Sequence, residues 1–239
     1  MPDQSSNFKN HPVVSRQEWL VARTAFLAKE KEFTRLRDEI SRQRRELPWV
    51  KVDKEYSFET PAGRKSLAQL FGKHSQLAVY HFMFGPDWEE GCPHCSFWAD
   101  NFNTIPVHLA QRDLAFTAVS RAPLSKIEAF KKRMGWSFPW ISSGEGDFNY
   151  DYQASFRPDA VARKKIFYNF KDLDADMTDR EGVSVFIKRA DGEIFHSYST
   201  YARGIDLLNG AYNFLDLVPK GRDEEENPDW LDFHDRYKD

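Results

Sequence analysis

Leu77-Ala78-Val79-Tyr80-His81-Phe82-Met83-Phe84 is a nearly continuous apolar run, closed by Gly85 and Pro86 and followed by Cys92-Pro93-His94-Cys95. An unbroken run of this length predicts a central strand covered on both faces rather than a strand with one wet side. From Cys92 to about Ala110 the text is compatible with helix: Pro93 is tolerated in a first turn, and Phe97, Trp98, Phe102 and Ile105 fall on one side. Pro106 is expected to kink or end that helix. A strand delivering a C-x-x-C pair to the start of a helix is the organising feature of the chain.

Working outward, Leu114 to Val119 reads as a second strand, and Ser125 with Glu128 reads as a capping box opening a helix that Gly135 closes. Phe138 to Tyr152 reads as loop with a short strand. Residues 183–188 and 194–198 flank Ala190-Asp191-Gly192 as a hairpin, and 204–217 reads as a last amphipathic helix. Upstream, Lys51 to Phe71 contains a short hairpin turning at Pro61-Ala62-Gly63. Ser15 and Glu18 form a capping box for a long helix ending at Leu47 before Pro48. Trp19, Phe26, Phe33, Ile40 and Leu47 recur there every seven residues, with Leu36 beside them. That stripe suits either a homodimer seam or a helix packed on its own domain. The resulting division is an N-terminal helical extension (1–48), an α/β domain (49–218) and an acidic C-terminal tail (219–239).

With 41% hydrophobic and 15% aromatic residues, the 239-residue chain has enough apolar area for a sizeable core. A net charge of -3 without a basic stripe argues against nucleic acid. No apolar run reaches the ~18 residues of a membrane span, and the first residues lack a signal-peptide layout, so the expected location is cytoplasmic. No phosphate-binding glycine loop, H-E-x-x-H or serine nucleophile elbow is present, and no cofactor is expected.

Cys92 and Cys95 are the only two cysteines, too few for a secreted disulfide scaffold. A thiolate is the nucleophile in disulfide exchange, and the start of a helix favours it, so Cys92 is assigned as the attacking sulfur and Cys95 as the resolving one. Pro93 and His94 are modulators: a protonated imidazole at His94 favours the thiolate, whereas Glu89 and Glu90 oppose it, and the sign of the sum stays open. An alternative reading is a copper- or zinc-binding module joining the pair to His94 or His81, although no second C-x-x-C supplies the remaining ligands and no metal ligand is assigned. Trp88, Trp98, Trp136 and Trp140 are candidates for a groove beside the motif, or for core.

The succession of strand, acidic turn, C-x-x-C helix, strand, helix, hairpin and helix resembles the thioredoxin superfamily, and Cys92-Pro93-His94-Cys95 is similar to the tetrapeptide of periplasmic disulfide oxidases. His81 to Trp88, Cys92 to Asp100, Ser120 to Leu124, Met134 to Trp136 and Ser199 to Gly204 resemble the DUF899 family, a thioredoxin-like family, over nearly the whole chain. The resemblance implies a central mixed sheet flanked by helices and a dithiol-disulfide oxidoreductase acting on a protein or small-molecule disulfide or thiol. It also implies a cis-proline near Gly182-Val183, where this chain has none, and a proton acceptor for Cys95 on the preceding strand, at a position matching His81. Phe138-Pro139 and Asp191-Gly192 are similar to peroxiredoxin features, which makes peroxide reduction a further alternative, without the usual threonine ahead of the cysteine.

Overall fold

The computed structural model describes residues 11–224 and 230–238. The chain divides into two compact units, one ending at Pro48 and one beginning at Trp49. The first unit is built on helix α1 (Arg16–Arg45). Its capping box forms as the sequence spells it: the Glu18 N-H donates to Ser15 Oγ at 3.3 Å, and the Ser15 N-H donates to Glu18 Oε2 at 2.9 Å. No residue of α1 is buried, and Trp19, Phe26, Phe33 and Ile40 of the heptad stripe are all exposed.

The second unit is organised by an eight-stranded mixed sheet in the order β1-β10-β9-β4-β5-β6-β2-β3. Its strands are β1 (Val50–Lys51), β2 (Ser57–Thr60), β3 (Gly63–Ser66), β4 (Gln76–His81), β5 (Leu114–Ser120), β6 (Trp140–Ser142), β9 (Gly182–Lys188) and β10 (Ile194–Tyr201). β4 lies near the middle, parallel to β5 and antiparallel to β9, which is in turn antiparallel to β10. Its side chains alternate between two cores, as a strand's period of two requires. Leu77 and Val79 enter one with Phe58, Phe148 and Phe186, and Tyr80 enters the other with Cys95, Trp98 and Trp140. A short α2 (Leu67–Leu70) precedes β4; helix α3 (Pro93–Ala99) follows it and leads through α4 (Ile105–Ala110) to β5. The fold is thioredoxin-like, a β-α-β unit followed by an antiparallel hairpin around a central mixed sheet.

Several elements depart from the sequence reading. The helix expected from Cys92 to Ala110 is two helices: Asn101 Nδ2 donates to the carbonyls of Phe97 and Trp98 at 3.1 Å and terminates α3, and Pro106 falls in the first turn of α4. Helix α5 (Leu124–Arg133) begins at Pro123, whose carbonyl accepts from Lys126 and Ile127, so Ser125 and Glu128 lie inside it and form no cap. The stretch read as loop contains α6 (Phe148–Asp151), and beyond α7 (Pro158–Ala162) a separate hairpin, β7 (Lys165–Tyr168) with β8 (Lys171–Asp174), had no expectation. The last helix is a 3-10 segment (Ala202–Leu208) and a short α8 (Gly210–Leu215), separated at buried Asn209, whose Oδ1 accepts from the Tyr212 N-H.

Of the stretch 219–239, read as an acidic tail outside the domain, the described residues 219–224 and 230–238 fall in the second unit. Phe233 is 3% exposed, packs edge-on against Phe130, and lies beneath the guanidinium groups of Arg133 and Arg236. Arg133 also donates through Nε and Nη2 to both carboxylate oxygens of Asp235 at 2.8 Å. The acidic residues thus help to seat two aromatic and aliphatic anchors, Phe233 and Leu231, rather than to solvate a free end.

Candidate active site

Both cysteines are held by the backbone of one residue, Met83. After β4 the chain continues extended, with Phe82 donating to Val119 O, loops through Gly85 to Gly91, and returns so that the Cys92 N-H donates to Met83 O at 3.0 Å. The Met83 N-H in turn donates to the Cys95 sulfur at 3.4 Å. The return is tight at Gly91, where a Cβ would stand 2.7 Å from the Phe82 ring and 2.8 Å from that of Phe130, so only glycine lets the backbone pass. Cys92 occupies the N-cap position of α3 and Pro93 its first turn, where a missing N-H costs nothing.

The two sulfurs have opposite environments. Cys92 is half-buried and Cys95 is 1% exposed. The Cys95 side chain beside it and the backbone N-H groups of Cys95 and His94 at the start of the helix hold the Cys92 thiol below the ordinary thiol range, against the opposing effect of burial. Burial, and the neighbouring Cys92 sulfur, push Cys95 well above it. His94 thus acts through its main chain, and its ring is exposed at the cavity's edge. The acids read from sequence as neighbours of Cys92 are engaged elsewhere: Glu89 is 91% exposed near Lys126, and Glu90 binds Arg133 and Arg236. The carboxylate that does oppose both thiolates is Glu181, just before β9, whose Oε1 accepts from the Tyr168 hydroxyl at 3.1 Å.

Glu181 precedes the residue at which the resemblance places a cis-proline, and no cis peptide occurs among the described residues. Gly182 pairs with His81 across β4 and with Tyr201 across β10, and a Cβ on it would stand 2.5 Å from the Tyr201 ring. The segment leading to it is clamped by Asp179, which is 3% exposed and accepts from Arg121 Nε and Nη2 at 3.0 and 2.8 Å and from Ser155 Oγ at 2.6 Å.

His81 is not beside the cysteines. One residue along β4 reverses the face, so His81 stacks on Phe148 in the opposite core and hydrogen-bonds Asn149 and Ser184 at 3.1 and 2.9 Å. The residue facing the pair is Tyr80, fully buried, whose hydroxyl finds no oxygen or nitrogen partner and interacts with Cys95; burial pushes its pKa well above the usual phenol value. The same reversal removes His81 from the metal reading, and among the described residues no group of three or more His, Cys, Asp or Glu is placed to hold a metal ion.

Cys92 and Cys95 open onto a cavity of about 1140 Å³. Trp88 and Trp98 line it, the latter donating Nε1-H to Ile205 O at 3.0 Å. Trp136 does not: its ring packs among Phe82, Phe130, Phe138 and Trp140, and its Nε1-H donates to Asp100. Arg180, Glu181, Arg203 and Phe233 complete the walls, and none of these four was assigned to the site from sequence. Position 181 has a signal in the expected cis-proline neighbourhood, and Arg203 has one in its place beside the last hairpin, where the sequence favours solvated surface over the site's border; Arg180 and Phe233 have none.

The family described as a bacterial protein of unknown function (DUF899) matches residues 8–237. The chain belongs to the DUF899 family. No curated protein matches this DUF899 chain. Among solved structures, a mutant of Xanthomonas campestris peroxiredoxin Q is similar at 13% identity, over 67% of this chain and 90% of that one, with a TM-score of 0.45. Mycobacterium tuberculosis peroxidoxin BcpB is similar at 14% identity, over 68% and 93%, with a TM-score of 0.44. A secreted M. tuberculosis disulfide oxidoreductase homologous to E. coli DsbE shares 18% identity over 65% and 92%, with a TM-score of 0.34.

Proposed function

We propose that this DUF899 protein is a thiol/disulfide oxidoreductase in which Cys92 attacks and Cys95 resolves. The observation that carries the reading is the asymmetry of the pair: an accessible sulfur whose thiolate is favoured by backbone N-H groups and the Cys95 side chain, above a sealed sulfur kept protonated by burial. The Cys92 thiolate attacks one sulfur of a disulfide, a mixed disulfide forms, and the first thiolate leaves. With Cys92 no longer charged, its opposition to Cys95 ionisation disappears. Cys95 then loses its proton, for which Glu181 is the carboxylate within electrostatic reach, and attacks Cys92 Sγ to expel the second thiol.

The test is equilibration of the purified protein with glutathione buffers of graded ratio, quenched by alkylation and read by mass. A reversible two-electron transition that disappears in Cys92→Ser is expected. A folded wild-type protein that forms no Cys92–Cys95 disulfide at any ratio would falsify the dithiol mechanism.

A further inference from the structure

The cavity above Cys92 is walled by segments from distant parts of the chain: Arg180 and Glu181 ahead of β9, Arg203 and Asp206 of the 3-10 segment, and Phe233 and Arg236 near the C-terminus. At about 1140 Å³ it is slightly larger than most small-molecule sites, which run to about 1,000 Å³. Cys92 is recessed within it, so a small molecule can reach the sulfur whole, whereas a disulfide on a folded partner would have to project inward.

The guanidinium groups on its walls are unequally satisfied. Arg222 donates to Asp216 and Asp206, Arg236 to Glu90, and Arg203 stands 3.4 Å from Asp206. Arg180 is the exception: among the described residues it has no ion pair, its Nε is buried without an acceptor, and its guanidinium lies 5.6 Å from the centre of the Tyr168 ring. A buried donor without a partner costs about 1–3 kcal/mol, and the group that best satisfies a guanidinium fork is a carboxylate.

We infer that the cavity accepts a low-molecular-weight disulfide carrying a carboxylate, bound through Arg180 while Cys92 attacks its sulfur. This rests on the dithiol mechanism above. In one turnover Cys92 and Cys95 give up two electrons and become the intramolecular disulfide, while the substrate's S-S bond is replaced by two thiols, the protons coming from Cys95 and solvent.

The experiment measures single-turnover rate constants of the reduced protein with three disulfides differing in charge: dithiodiglycolate, hydroxyethyl disulfide and cystamine. Dithiodiglycolate is expected to react about tenfold faster than the neutral reagent, the worth of one charge-assisted pair, and the advantage should shrink with added salt. In Arg180→Met the ratio of the two should collapse to about one; should that variant fold poorly, the wild-type ranking and its salt dependence decide. Equal rates, or cystamine fastest, overturn the inference and leave the dithiol mechanism standing. Failure of Cys92 to react with all three overturns both.

Discussion

Cys92 and Cys95 differ less in what they are than in what surrounds them. The thiolate at Cys92 is favoured by the Cys95 side chain and two backbone N-H groups and opposed by Glu181. Glu181→Gln is therefore expected to lower the pH midpoint of Cys92 alkylation while slowing release of the second thiol, since the same change removes a repulsive charge and a proton acceptor. Paired measurement of the alkylation profile and of mixed-disulfide decay checks both; an unmoved profile would remove the repulsive role, and an unchanged release would remove the proton-acceptor role. His81 makes the second case. Burial lowers its pKa from 6.5 to about 4, so between those values the unfolded chain takes up a proton that the native chain refuses. Stability should accordingly fall as pH drops through that window, by up to about 3 kcal/mol at its lower end. Urea midpoints at graded pH measure the slope, which His81→Gln should flatten.

The segment before β9 positions the cavity wall, and one ion pair holds it. Arg121 is 13% and Asp179 3% exposed at the side chain, so Arg121→Met leaves a buried carboxylate with Ser155 as its remaining named partner. A cost of about 3–5 kcal/mol is expected in denaturant unfolding. Because residues 180 and 181 follow directly, the Cys92 alkylation profile should move as well, which a loss of stability elsewhere would not produce. The capping boxes show how such local signals succeed or fail. Ser15 and Glu18 face solvent and cap α1 as spelled, whereas Ser125 and Glu128 have the same spacing but lie within a helix that already begins at Pro123. Local pairing decides a terminus where nothing packs against it and loses where the chain's entry is set by the fold.

The C-terminal segment couples the end of the chain to the site. Phe233 lines the cavity and fills the core beside Phe130, so Phe233→Ala should cost about 3–5 kcal/mol and widen the mouth. Faster reaction of Cys92 with a bulky maleimide, at unchanged thiolate fraction, is the expected signature. An unaltered rate would mean that the segment stabilises the domain without limiting access.

The apolar run on β4, the C-x-x-C pair behind it, the parallel partner β5 and the final hairpin were all legible because each is a local pattern: a period, a spacing or a turn within a few residues. The placing of the two cysteines together at a helix start was legible for the same reason. Which face of β4 meets the cysteines was not, because a shift of one residue exchanges Tyr80 for His81 and both are compatible with a buried strand. Nor were Glu181, Arg180 and Phe233, which come from some 85 to 140 residues downstream and reach Cys92 only because β9 pairs with β4 and the chain's end folds back onto α5. Local sequence carries the cysteine proposed as nucleophile; the charges and walls around it come from pairing between distant segments, which no short-range pattern records.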